Sequence, residues 1–211
     1  MPNTSILKTL SRPRMATYLS VTNQDQTKAL ELYIWNSQVS AALLVPMHIC
    51  EIVIRNAIAE IFESQFGGQW PWQRSLELTL PRRYRDELTK ARDKRSINNR
   101  TSKVIPELTF NFWQQMFVSN YDQQFWQQHL HSLFPNAPVN MPFNQLRGSI
   151  FNDLEKIRKF RNRIAHHEPI INQNINSIMD KIERLTRYRC TDTSDWACQH
   201  YQVRNLLLTR P

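Results

Sequence analysis

The sequence predicts an all-α domain, and three observations carry that expectation. Phe143, Leu146, Ile150, Leu154, Ile157 and Phe160/Ile164 recur at three- and four-residue spacing, the period of an amphipathic helix. Met47 to Phe66 is apolar nearly all round, which suits a helix at the centre of a bundle. No stretch alternates apolar and polar residues convincingly in the manner of a half-buried strand. The length of 211 residues suits one domain with a full core, or one domain with decorations.

Met1 to Asn23 holds a short apolar run, Ile6–Leu10, followed by SRPRM, and reads as an arm or a short helix. Asp25 to Leu44 is helical by pattern, and Asn23 or Asp25 is placed to cap its start. Pro46 interrupts that pattern, by a kink or by the start of a new helix. In the following segment His48, Glu51 and Arg55 fall at i, i+3 and i+7, a single polar stripe with Asn56 beside it. Burying such a stripe costs several kcal/mol unless its members pair or face a wet cleft. Glu51 and Arg55 could pair with each other at i,i+4 spacing. Alternatively the stripe faces a phosphate site.

Gly67, Gly68 and Pro71 mark a loop with Trp70 and Trp72 as anchors. Pro81 to Arg100 carries eight Lys/Arg against three acids. It reads as a basic helix and loop, either a solvated face or a rail for RNA built from Arg82, Arg83, Arg85, Lys90, Arg92, Lys94 and Arg95. Tyr84 is then positioned to stack on a base. The aromatics Phe110, Phe112, Trp113, Phe117, Phe125, Trp126 and Phe134 read as core. Pro135, Pro138 and Pro142 form a rigid connector into the Phe143 helix. Ile170 to Tyr188 reads as a further helix, and Asp192 to Leu208 as a C-terminal one. The expected organisation is an arm at 1–24, a helical domain at 25–190, and a C-terminal helix at 191–211 packed on the same domain.

The formal charge of +9 favours a polyanionic partner. Only 3 glycines are present, which excludes Gly-rich phosphate loops. No run of 18 apolar residues is free of interruption, because Pro46, His48 and Glu51 break the Val39–Ile54 stretch, so no membrane span is expected. The N-terminus lacks a signal-peptide core, and Cys50, Cys190 and Cys198 make no disulfide framework; both fit the cytoplasm. Cys190, Cys198 and His200 supply no four-ligand zinc pattern, and neither metal nor cofactor is expected.

The chemistry concentrates in KIRKFRNRIAHHEP, Lys156 to Pro169. Arg161 is of the type that can brace phosphate oxygens through a forked pair of donors. His166 is of the type that can move protons near neutral pH. Asn162 lies at i−4 from His166 and is placed to touch it, whereas Arg161 sits about 140° around the helix axis from His166. Arg161 therefore meets that imidazole only through its length or from a second chain. Pro169 biases Glu168 away from helical geometry, which puts the motif at a helix end. His167 either serves backbone hydrogen bonding or joins the site. Glu168 either orients an imidazole or forms a salt bridge.

RNRIAHHE, together with Trp35 to Phe62 and the FNFWQQMF block at Phe110 to Phe117, resembles the Abi-like branch of the HEPN superfamily. The resemblance spans roughly Leu30 to Leu185. It implies a bundle of four to five core helices with additional peripheral helices. It implies metal-independent RNA cleavage through 2′-hydroxyl attack, with Arg161, Asn162 and His166 as the catalytic set. His48, Glu51, Arg55 and Asn56, with His167 and Glu168, would support the phosphate. It further implies a homodimer whose two motifs share one cleft, a role in abortive infection or a toxin–antitoxin system, and an antitoxin protein or RNA as a possible partner. The alternative expectation is a non-catalytic helical module that binds RNA, a nucleotide or a protein.

Overall fold

The computed structural model describes residues 2–211. Among them every regular element is helical, as the periodicity predicts. The N-terminal stretch forms two helices, α1 (Pro2–Leu10) and α2 (Arg12–Val21), that pack on the next one. Of the two expectations, an arm or a short helix, the segment is helical and docked, with Met15 and Tyr18 buried on the domain.

The organising element is α3 (Gln26–Phe66), 41 residues long. Asp25 caps its start, accepting from the backbone N–H groups of Thr27 at 3.0 Å and Lys28 at 3.1 Å. Pro46 lies inside it and does not end it. The missing N–H forfeits a bond to the Ala42 carbonyl, but burial of Trp35, Val39, Leu43, Met47, Cys50 and Ile54 on both sides holds the helix through the gap. The segment ends at Gly67, whose φ of 82° is natural for glycine and strained for other residues. By length and composition alone α3 is apolar enough to cross a membrane. Here it forms the axis of the bundle, with α1 and α2 against its first half.

After a 3-10 turn at Trp70–Trp72 come α4 (Arg74–Thr79), α5 (Arg82–Arg92) and α6 (Thr101–Val104). Short helices α7 (Phe110–Gln115) and α8 (Leu130–Leu133) flank a π-helical turn at Asp122–Trp126. All seven aromatics expected in the core here are buried. Phe62 of α3 meets Trp70 and Phe125 at ring separations of 5.0 and 5.5 Å, and Phe117 stacks on Trp126 at 4.4 Å. Trp70 anchors the loop as expected.

The motif helix, α9, runs from Phe143 to Ala165. Leu146, Ile150, Leu154, Ile157, Phe160 and Ile164 are buried, the stripe the sequence marks. The next helix, α10 (Ile175–Arg189), starts later than expected. Ile170 and Ile171 are buried but lie in the preceding loop, and Asn174 caps α10 by accepting from Ser177 N at 2.9 Å. Two ion pairs fix α10: Arg184 with Asp153 of α9, and Arg189 with Glu60 of α3. The C-terminus is two short helices rather than one, α11 (Thr191–Cys198) and α12 (Val203–Leu207). Trp35 Nε1 donates to the Leu206 carbonyl at 2.8 Å and ties α12 to α3.

Candidate functional site

The motif sits where α9 ends against the middle of α3. Helix α9 closes at His166, and His167 takes a left-handed conformation with φ of 55°. His167 N donates to the Ile164 carbonyl at 2.9 Å and Glu168 N to the Arg163 carbonyl at 2.8 Å. This pair of bonds closes a helix in the Schellman manner, with histidine where glycine is usual. Arg14 of α2 donates to the His167 carbonyl and holds the turn from outside. Three residues after His167, Ile170 N donates to Asn36 Oδ1 of α3 at 2.8 Å. The turn is therefore fastened at both ends, which orients the side chains that leave it.

Arg161, Asn162 and His166 are all exposed. Arg161 Nε lies 3.8 Å from Glu51 Oε2. The geometry is loose and partly solvated, so the pair contributes little to stability. It nevertheless sets Glu51 beside the motif. The intrahelical Glu51–Arg55 pair that the spacing allowed does not form: Glu51 turns to Arg161 instead. Arg55 makes no ion pair among the described residues, and its buried Nε has no hydrogen-bond partner. A guanidinium without a carboxylate next to the motif keeps its charge available to an anion. His48 and Asn56 are exposed on the same helix.

The structure does not join every expected residue. Among the described residues no side-chain hydrogen bond links His166 to Asn162 or to Arg161; only the backbone bond from His166 N to the Asn162 carbonyl, 2.9 Å, is present. His167 serves the turn through its backbone, and Glu168 pairs with Arg163 at 3.2 Å.

The basic rail is depleted. Arg92 pairs with Glu77 and donates to the Pro71 carbonyl, Lys94 pairs with Glu107, and Arg85 donates to the carbonyls of Glu77 and Leu80. Tyr84, half-buried, packs edge-on against Phe112 at 6.0 Å, its hydroxyl accepts from Asn111, and Arg83 lies 5.7 Å from its ring centroid. Arg82, Arg83, Lys90 and Arg95 remain exposed.

The structure brings other residues to the motif that the sequence did not single out. Gln114, buried, accepts from Arg158 Nε at 2.5 Å, which holds a second arginine of α9 in place. Asn36 is a polar residue on the buried face shared by Leu32, Val39 and Leu43, and that placement was its signal in the sequence. Arg14 carried no such signal, because only folding brings α2 to the turn. No family model, characterised protein or solved structure matches the chain.

Proposed function

We propose that the protein is a metal-independent endoribonuclease whose centre is Arg161, Asn162 and His166, supported by Glu51 and Arg55. The observation that carries the reading is the exposure of all three motif side chains at one helix end, with the unpaired Arg55 on the neighbouring helix. In this scheme an imidazole takes the proton from a ribose 2′-hydroxyl. The oxygen attacks the adjacent phosphorus, and Arg161 and Arg55 offset the charge that builds on the five-coordinate phosphate. A second imidazole protonates the departing 5′-oxygen. The products are a 2′,3′-cyclic phosphate and a free 5′-hydroxyl.

The angle between Arg161 and His166 is met by a second chain, whose own His166 would supply the second imidazole. Helix α3 offers a surface suited to a second copy. Ile34, Leu44 and Val45 are 56%, 51% and 50% exposed, and they run toward His48 and Glu51 at helical spacing. Burying such a stripe against its twin would bring the two motifs to one cleft. The resemblance to the Abi-like branch of the HEPN superfamily supports a cytoplasmic role in abortive infection or as the toxin of a toxin–antitoxin pair, acting without a membrane.

A second reading, a non-catalytic module that binds RNA, a nucleotide or a protein, draws support from the lack of contact between Arg161 and His166 within one chain. Incubation of purified protein with total RNA in EDTA separates the two. The ribonuclease reading expects cleavage with cyclic-phosphate ends, abolished by His166→Ala. Binding without product, unchanged by that substitution, would leave the module reading.

A further inference from the structure

Beside the motif, α2, α3 and the turn after α9 enclose a cavity of about 340 Å³. Its walls are Tyr18 and Tyr33, Asn36, Ser40 and Leu44 of α3, and the His167 turn. The two tyrosine rings meet edge-to-face at 5.2 Å, with Tyr18 fully buried and Tyr33 half-buried. Burial pushes the Tyr18 hydroxyl up to about 12, so it remains neutral under physiological conditions.

Asn36 distinguishes this cavity from a packing defect. The side chain is only 6% exposed. Its Oδ1 accepts from a backbone N–H, which fixes which way the amide points. Nδ2 then points away from Ile170; among the described residues it has no hydrogen-bond partner, and it is not sealed from solvent. The Ser40 hydroxyl, also in the wall, has no partner either. A nearly buried amide with an unused donor, set among aromatic and aliphatic walls, is the composition of a small-ligand site.

The ligand class follows from position and size. Leu44, at one end of the cavity, is seven residues from Glu51, about 10 Å along α3. His167, in the wall, directly follows His166. The volume is at the small end of ligand pockets. Resting on the ribonuclease reading above, we propose that the cavity is a nucleobase subsite. A base next to the scissile phosphate turns into it, packs on Tyr33, and accepts a hydrogen bond from Asn36 Nδ2. The cavity would then set which nucleotide flanks the cut, since single-stranded RNA is read through stacking and the edges of splayed bases.

The test is an NMR titration of the full chain with the four ribonucleosides, which carry a base but no phosphate, and with ribose 5-phosphate, which carries no base. At least one nucleoside is expected to shift the Asn36 side-chain amide and the Tyr33 ring, and ribose 5-phosphate is expected to shift neither. Ser40→Phe, which fills the cavity, should abolish those shifts. Asn36→Asp, which keeps the acceptor for Ile170 but removes the donor, should weaken binding by roughly tenfold. Either variant should change the base preference of RNA cleavage. Cleavage without nucleoside shifts, and with unchanged preference in both variants, overturns the subsite and leaves the ribonuclease intact. Nucleoside shifts without RNA cleavage do the reverse. Equal shifts from ribose 5-phosphate also overturn it, by making the cavity a sugar-phosphate site. Circular dichroism checks that each variant is folded, and the wild-type titration decides the matter should either variant fail.

Discussion

Replacing Asn36 with alanine should destabilise the protein far more than a surface helix substitution, because it orphans a buried backbone donor. Ile170 N–H is fully inside the domain and has Asn36 Oδ1 as its partner at 2.8 Å. Leaving such a group unsatisfied costs about 1–3 kcal/mol. For a chain of this length that is a fall in Tm of roughly 2–12 °C. Ser37→Ala, one residue away, is the control. Its hydroxyl bonds only the Tyr33 carbonyl of its own helix, and it is exposed. It should change stability by no more than about 0.5 kcal/mol. The assay is urea unfolding followed by the helical signal at one fixed protein concentration, so that any self-association is held constant. An Asn36→Ala variant within about 0.5 kcal/mol of wild type would refute the reasoning. Ile170 would then have another partner, and the turn carrying His166 would not be fastened to α3 as described.

Ile34→Glu combined with Val45→Glu should weaken self-association by roughly 100-fold or more, since two half-exposed apolar side chains per copy lose their burial. Sedimentation should report the change, and RNA cleavage should fall with the dimer fraction; an active monomer would dismiss the shared cleft. Neutralising Arg82, Arg83, Lys90 and Arg95 together should lower the salt dependence of binding to long single-stranded RNA by roughly 0.7 per lost phosphate contact. Cleavage of a short oligonucleotide should be unchanged, because Arg82 faces Asp86 and Arg83 lies over Tyr84, and neither bonds the motif; an equal loss on both substrates would place the rail within the site. Alkylation followed by mass spectrometry should find Cys190 the fastest thiol. The hydrogen bonds from Thr193 at the start of α11 lower its pKa, burial raises that of Cys198, and the fully buried Cys50 is pushed up to about 12. The thiolate fraction of Cys190 should therefore rise at lower pH than that of the other two, and Cys198 reacting first would contradict this.

Much of the fold was legible before any coordinates. The stripe Leu146 to Ile164 predicts α9 almost to the residue, because a helix that buries one face must repeat every three to four positions. The apolar Met47–Phe66 stretch marks the central helix for a different reason, since a helix apolar nearly all round must be surrounded by others. Pro46 misleads: its local cost is real, yet side chains packed on either side of it outweigh one lost hydrogen bond. Ile171 misleads in the other direction. Its spacing to Ile175 is helical, but it is buried in the loop before α10, and burial in a loop needs no period.

For the site, the sequence by itself determined the motif, its position at the end of a helix and the angle between Arg161 and His166, because all three depend on local spacing alone. Only the tertiary structure decided which charges remain unspent. Whether Glu51 serves Arg55 or Arg161, whether Arg92 and Lys94 face solvent or a carboxylate, and whether Asn36 encloses a cavity with its amide free all turn on neighbours distant in the chain. Ion pairing and burial act across space, and spacing within one helix carries no record of what packs against it.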